Sequence, residues 1–220
     1  MFCTALRALT AAVLLAVPLA VPAAADSARP AAPLPLAAAV DLLPSAVESR
    51  DGYQRSRFRH WTDADRDGCS TRAEVLIAES RTEPAVAAGC RITAGEWYSF
   101  YDGITLTAPG GLDIDHMVPL AEAWDSGAFA WTAMRREAYA NDLDADRSLV
   151  AVTARSNRSK SDQDPADWLP PLADARCAYA VAWVATKLRW QLSADDHERA
   201  ALAELAAGCG QERVDYEPAA

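Results

Sequence analysis

Two short motifs hold the residue types best suited to chemistry. The first reads Asp113-Ile114-Asp115-His116-Met117-Val118-Pro119-Leu120, and the second, downstream, reads Asn157-Arg158-Ser159-Lys160-Ser161-Asp162. A carboxylate beside an imidazole, joined by a carboxamide, is a donor set for activating water on a hard divalent cation. Mg²⁺ or Mn²⁺ takes oxygen ligands: Asp115 offers a charged oxygen and Asn157 a neutral one, leaving positions for water and phosphate. His116, neutral near pH 7, is suited to take a proton from that water. The chemistry such a set serves is phosphodiester hydrolysis, in which a cation stabilises the charge that gathers on the phosphoryl oxygens. Arg158 and Lys160 share the second motif and are expected to face the phosphate. Glu122, one helical turn after Val118, is either a solvated helix residue or a water-mediated neighbour of the cation.

A second acidic segment carries another metal pattern. Asp63-Ala64-Asp65-Arg66-Asp67-Gly68, followed by Glu74, fits the calcium-loop spacing D-x-D-x-D-G-x5-E. Its ligands to Ca²⁺ are expected to be Asp63, Asp65, Asp67 and Glu74, with Gly68 at the sharp turn. Ser70 stands where such loops carry an aliphatic residue, and no clear entering helix precedes Asp63. An acidic turn capping the next helix is therefore the competing reading.

These groups need elements to position them. Residues 112–115 read as a short strand after Gly110-Gly111, and 148–152 as a second, buried strand. Residues 153–160 read as a short helix. Strand, Asp-His, strand, then Asn at a helix start is a ββα layout. Because side chains alternate along a strand, Asp115 can face the cation while His116, at the strand end, faces water. Residues 70–80 read as a helix capped by Ser70 or Thr71, and 119–141 as a helix broken near Ser126-Gly127. Residues 90–108 alternate like strands, with a hairpin turn at Asp102-Gly103. Helices at about 174–191 and 194–207 close the chain. The expected class is α+β: a small β-hairpin, ββα-metal core surrounded by helices.

Composition narrows the function. The 220 residues are 51% hydrophobic and 24% charged, which excludes a wholly disordered chain. A formal charge of −10 excludes a broad basic nucleic-acid face, so a polyanion must be held by a local basic patch or a metal ion. Three histidines (His60, His116, His197) exclude a histidine-rich metal site. No Gly-x-Ser-x-Gly occurs, which argues against a serine hydrolase.

Residues 1–25 carry one charge, Arg7, before a short apolar run and an Ala23-Ala24-Ala25 exit. They read as a secretory signal peptide, making the protein secreted and extracellular, with no membrane attachment after cleavage. The Ala, Pro and Leu run of 26–46 is expected to be flexible, 47–212 to form the domain, and 213–220 a tail. Cys69, Cys90, Cys177 and Cys209 then remain, an even count for an oxidising compartment. Cys69–Cys90 and Cys177–Cys209 are the favoured pairs, because each brackets a local helical segment. A monomer is expected.

The motifs together resemble the HNH, or His-Me-finger, nucleases, and within them the secreted, GmrSD C-terminal-domain-like family. The likeness runs over about residues 50–190 and includes 63–76, 95–103, 113–124, 139–143 and 157–168. It implies that His116 is the general base, Asp115 the first metal ligand and Asn157 the second. The substrate it implies is DNA, with RNA as an alternative. The central Asn of the family has no clean match: the equivalent position is near Ser148, and Asn141 is expected to steady the base instead. The competing class is a calcium-stabilised extracellular binding module whose HNH-like site is inactive.

Overall fold

A computed structural model describes residues 32–220 of the chain; the expected signal peptide at 1–25 lies outside them. The first described strand, β1 (Leu34–Pro35), pairs antiparallel with the last, β8 (Arg213–Val214), so the two ends of the domain meet. Helix α1 (Leu36–Asp41) buries Leu36, Ala39 and Val40, an i, i+3, i+4 stripe. The expectation of a flexible segment through residue 46 is thus corrected from Leu34 onward: Leu36, Val40 and Leu43 are buried in the core. Residues 213–220 are not a loose tail either. Val214 is buried, the Ala219 N–H donates to the Arg189 carbonyl, and Arg189 donates to the Glu217 carbonyl.

Helix α2 (Thr71–Ala78) follows the acidic segment. Next come two hairpins, β2 (Ala85–Ala87) with β3 (Arg91–Ala94), and β4 (Trp97–Ser99) with β5 (Ile104–Leu106). The second turns at Asp102-Gly103 as expected, with Gly103 at φ 74°, a conformation costly for any residue with a Cβ. The first was hidden because the Pro- and Ala-rich stretch that becomes β2 lacks a strand signature.

The ribbon that carries the chemistry is β6 (Leu112–His116) paired antiparallel with β7 (Leu149–Thr153), in the register Asp115↔Val150 and His116↔Leu149. Between them the chain forms α3 (Leu120–Asp125) and α4 (Ala133–Ala140), separated at Gly127 (φ 124°). Helix α5 (Ala154–Lys160) starts directly after β7, its first turn capped by Thr153, which accepts from the Ser156 N–H. Helices α6 (Arg176–Trp190) and α7 (Asp196–Gly208) complete the fold.

Alternation along the ribbon splits the core in two. Leu112, Ile114, Leu149 and Ala151 pack with Leu76 and Trp97, while Val150 and Val152 pack with Met117, Tyr179 and Trp183. The two expected disulfides are present. Cys69–Cys90 (Cα–Cα 5.0 Å) ties the acidic segment to the first hairpin, and Cys177–Cys209 (5.5 Å) ties α6 to the end of α7.

One polar cluster sits inside the helical half. Lys187 is fully buried, and its ammonium donates to Glu122 (2.8 Å), Ser126 (2.9 Å), the Ser193 carbonyl (2.8 Å) and Glu198. Glu48 lies 3.8 Å away. Glu122 is therefore not a solvated helix residue: it is buried, and its carboxylate accepts from Lys187.

Three carboxylates around one ammonium cannot all stay ionised out of water. Burial pushes Glu198 up to about 7 and Glu48 up to about 8, and burial alone also lifts Glu79 to about 7. A carboxyl whose folded pKa exceeds its unfolded value holds a proton that the unfolded chain has released, so raising pH favours unfolding. His116 acts oppositely but only below about pH 6.5, where the unfolded imidazole still binds a proton. Stability should thus fall between about pH 6.5 and 8. Urea unfolding across that range checks this, and Glu198→Gln should flatten the decline.

Candidate active site

The register of β6 points Asp113 and Asp115 to the side on which α5 packs. Asp115 is 5% exposed, and its Oδ2 accepts from the Tyr101 hydroxyl (2.6 Å) and the Lys160 ammonium (2.6 Å). Both hydrogen bonds fall on one oxygen. The residue also lines a hollow of about 290 Å³, together with Arg55, His116, Asn157, Arg158 and Asp162. Oδ1 is thus the oxygen left for a ligand. Burial pushes the Asp115 carboxyl up and the Lys160 ammonium down, while the contact between them opposes both shifts.

Asn157 stands in the middle of α5, and its Nδ2 donates to Asp113 Oδ2 (3.2 Å). With the amide nitrogen so committed, its carbonyl oxygen is the free acceptor. Asp113 also pairs with Arg158 (3.4 Å), so it orients two α5 side chains at once.

His116 is 5% exposed, and its Nε2 lies 3.0 Å from the Ala140 carbonyl. A carbonyl can only accept, so Nε2 carries the proton and Nδ1 is the basic atom. Burial holds the imidazole down at about 3, keeping it neutral at pH 7. The rings of Trp61 (5.4 Å between centroids) and Tyr139 (6.4 Å) stack against it. Trp61 has φ 59°, a strained backbone for a bulky residue, beside the imidazole it flanks.

The Ala140 carbonyl thus fixes the ring, where an Asn side chain is expected to do so. Asn141 acts one step removed. Its Oδ1 accepts from Thr62 N–H (3.0 Å) and the Thr71 hydroxyl (2.9 Å), and its Nδ2 donates to the carbonyls of Arg59 (2.9 Å) and Glu137 (2.7 Å). It thereby fastens the 59–62 segment, which carries Trp61, to the end of α4. Ser148 does not touch the imidazole: its hydroxyl donates to Asp142 (3.0 Å), and its carbonyl accepts from Met117 N–H (2.9 Å).

The motif places Arg158 and Lys160 differently. Arg158 is 75% exposed at the hollow, as expected. Lys160 is wholly buried and donates to Asp115, the His116 carbonyl (2.9 Å) and the Met117 carbonyl (2.9 Å). All three ammonium hydrogens are spent on protein oxygens. A role for Lys160 in facing phosphate is corrected: it holds the Asp115 carboxylate instead.

Sequence reasoning also missed Tyr101, which the chain reaches through the second hairpin, and Arg55. The signal for Arg55 was present as a run of arginines between 50 and 59 in an acidic chain.

In the acidic loop, oxygens of Asp63, Asp65 and Asp67 lie within 4.8 Å of one another. The Gly68 N–H donates to Asp63 (3.2 Å), with Arg66 at φ 66° and Gly68 at φ 95°. Glu74, in the first turn of α2, is not among the oxygens that cluster; burial raises its carboxyl, and the charges of Asp65, Asp67 and Asp63 add to that.

The family described as "GmrSD restriction endonucleases, C-terminal domain" matches residues 57–205, more than half of the chain, and the chain belongs to that family. An "Uncharacterized secreted protein" of Arthroderma benhamiae is 41% identical over 160 residues, spanning 73% of this chain and 77% of the relative. The expected secretion accords with that name, and among the described residues no helix is long and apolar enough to cross a membrane. No solved structure matches the chain.

Removing one partner of a buried ion pair leaves the other charged and unpaired, at a cost of about 3–5 kcal/mol. Lys160→Met should therefore lower unfolding stability by about that amount, whereas exposed Arg158→Met should change it by no more than about 0.5 kcal/mol. Chemical denaturation of the two variants measures the contrast.

Proposed function

We propose that this secreted member of the GmrSD C-terminal-domain family is a metal-dependent endonuclease of the HNH type, acting on DNA or RNA. The observation that supports this most is the division of labour on one hollow. Asp115 and Asn157 each have one polar atom anchored by protein and one oxygen left over, beside an imidazole that is neutral and has a defined basic atom. Those two oxygens suit a hard cation, and Mg²⁺ or Mn²⁺ would be held there. When bound, the cation would stabilise negative charge on the phosphoryl and leaving oxygens.

The chain's own residues do the rest. His116 Nδ1 accepts the proton of the attacking water while Nε2–H remains on the Ala140 carbonyl, so the ring keeps its orientation as it becomes charged. Trp61 and Tyr139 flank the imidazole and restrict its movement. Lys160 and Tyr101 hold Asp115 in place, and Asp113 does the same for Asn157. The acidic loop binds Ca²⁺ in this reading and serves stability rather than hydrolysis, because it contains no base.

Plasmid and RNA digestion by the mature protein tests the main reading. Cleavage should require Mg²⁺ or Mn²⁺ and stop with EDTA. His116→Ala should reduce it by about 10²–10⁴-fold, and Asn157→Ala should abolish it at metal levels that saturate wild type. Circular dichroism must show both variants folded. Absence of cleavage with every metal would favour a binding module.

The calcium assignment has its own test. A ligand bound only by the folded state adds about 2.7 kcal/mol at a hundredfold excess over Kd. Ca²⁺ should raise the Tm of wild type, and Asp65→Ala with Asp67→Ala should erase the rise. A Tm indifferent to Ca²⁺ would make the loop a turn and no more.

A further inference from the structure

The chain is acidic overall, at −10, yet residues 50–61 contain Arg50, Arg55, Arg57 and Arg59 against a single acid, Asp51. The fold lays this stretch beside the candidate active site and pins it at defined points. Phe58 is wholly buried, edge-on to Trp124 (6.4 Å) and Tyr139 (6.1 Å). The Asp51 carbonyl accepts from the Trp124 indole (3.0 Å), and the Arg59 carbonyl from Asn141 (2.9 Å). Between these anchors, Arg55–Arg57 form one 3₁₀ turn whose residues are all exposed.

Charge pairing singles out one arginine. Around the hollow, Asp115 is matched by Lys160, Asp113 by Arg158, and Asp162 by Arg50 (3.4 Å), which also holds Asp125 (2.6 Å). Arg59 pairs with Glu137 (3.2 Å). Arg55 lines the hollow with Asp115, His116, Asn157 and Arg158, and among the described residues it has no carboxylate partner. It is the uncompensated positive charge of the site. Arg55 and His116 line the same hollow. Arg57 likewise has no carboxylate partner among the described residues; its guanidinium rests over the Trp124 ring at 5.4 Å.

We propose that Arg55 is the residue that grips the substrate phosphate from the His116 side of the hollow, and that Arg57 holds a neighbouring phosphate of the same polynucleotide strand. This rests on the nuclease reading above and adds to it the residues that hold the strand by its backbone. A guanidinium matches two phosphate oxygens at once. Contacts of this kind set register without reading bases, so binding is sequence-tolerant. The cation side of the hollow is supplied by β6 and α5 through Asp115 and Asn157, and the 50–61 strap adds Arg55 to the same lining.

Fluorescence anisotropy tests this on the full mature chain carrying His116→Ala, so that binding is read without cleavage. The probe is a labelled oligonucleotide duplex, with a single strand in parallel, in Mg²⁺ over a salt series. Arg55→Ala should weaken affinity about tenfold, the equivalent of about 1.4 kcal/mol. It should also lower the slope of log K against log salt by about 1. Arg55→Lys should restore the slope and only part of the affinity, which a merely structural role would not produce. Arg57→Ala should lower the slope by about 1 again.

Affinity and slope unchanged by Arg55→Ala would overturn the proposal. A weakening with no change of slope would do the same, because a phosphate contact releases counterions. A slope that ignores Arg57 would overturn the strand, leaving a site for a single phosphate. Arg55-dependent binding by a chain that cleaves nothing would support the contact and remove the nuclease reading. Cleavage by wild type with affinity indifferent to Arg55 would do the reverse.

Discussion

An ammonium wholly enclosed by protein is the constraint on which the catalytic corner depends. Lys160 reaches back from the end of α5 to Asp115 and to the carbonyls of His116 and Met117, three consecutive residues where β6 ends. Removing a charge from water costs several kcal/mol, so the lysine is tolerated only where oxygens converge on it. Those oxygens converge only if strand end and helix keep one relative position. Asn157 lies three residues earlier on the same helix, so the position that satisfies Lys160 also sets Asn157 against Asp113. The ion pair need not add net stability to do this; it specifies geometry.

The fold uses the same device a second time. Lys187 draws Glu122 and Ser126 toward α6 and Glu198 of α7. Glu122 belongs to α3, which follows the Asp-His strand after two residues and Pro119. The short connection at 117–119 is therefore held from both sides, by one buried lysine under the strand and another beyond the helix. His116 sits at the start of that connection. Its ring is fixed by the Ala140 carbonyl and by stacked aromatics, so the imidazole is held in place by its surroundings.

The ββα order, the Asp-His and Asn motifs, the helix after the acidic loop and the disulfide pairs were legible because each rests on local spacing. What was not legible depends on partners far along the chain. Lys160 reads as a solvent-facing base in a polar helix, yet Ser156 and Lys160, one turn apart, are the buried side of α5. Glu122 finds its partner at Lys187, and nothing near it in sequence announces that. The missing central Asn has a plainer reason: the imidazole meets a backbone carbonyl, and a carbonyl leaves no residue type to read. The Ala- and Leu-rich segment before residue 46 lacks a polar face, which made it look like linker. In the fold it is covered on one side by the chain's own C-terminal end.

The arrangement of charge follows from these restraints. An acidic protein repels a polyanion at long range, but salt confines that repulsion to roughly 8–10 Å. Within that distance only local groups count. At the hollow every carboxylate is already answered by a lysine or arginine, so the acids needed to hold a cation do not repel phosphate as bare charges would. Arg55 then supplies a positive group that no carboxylate cancels. An overall negative surface with a locally neutralised, arginine-edged hollow fits the proposed contact with a phosphate backbone, made at one place without adhering to every polyanion.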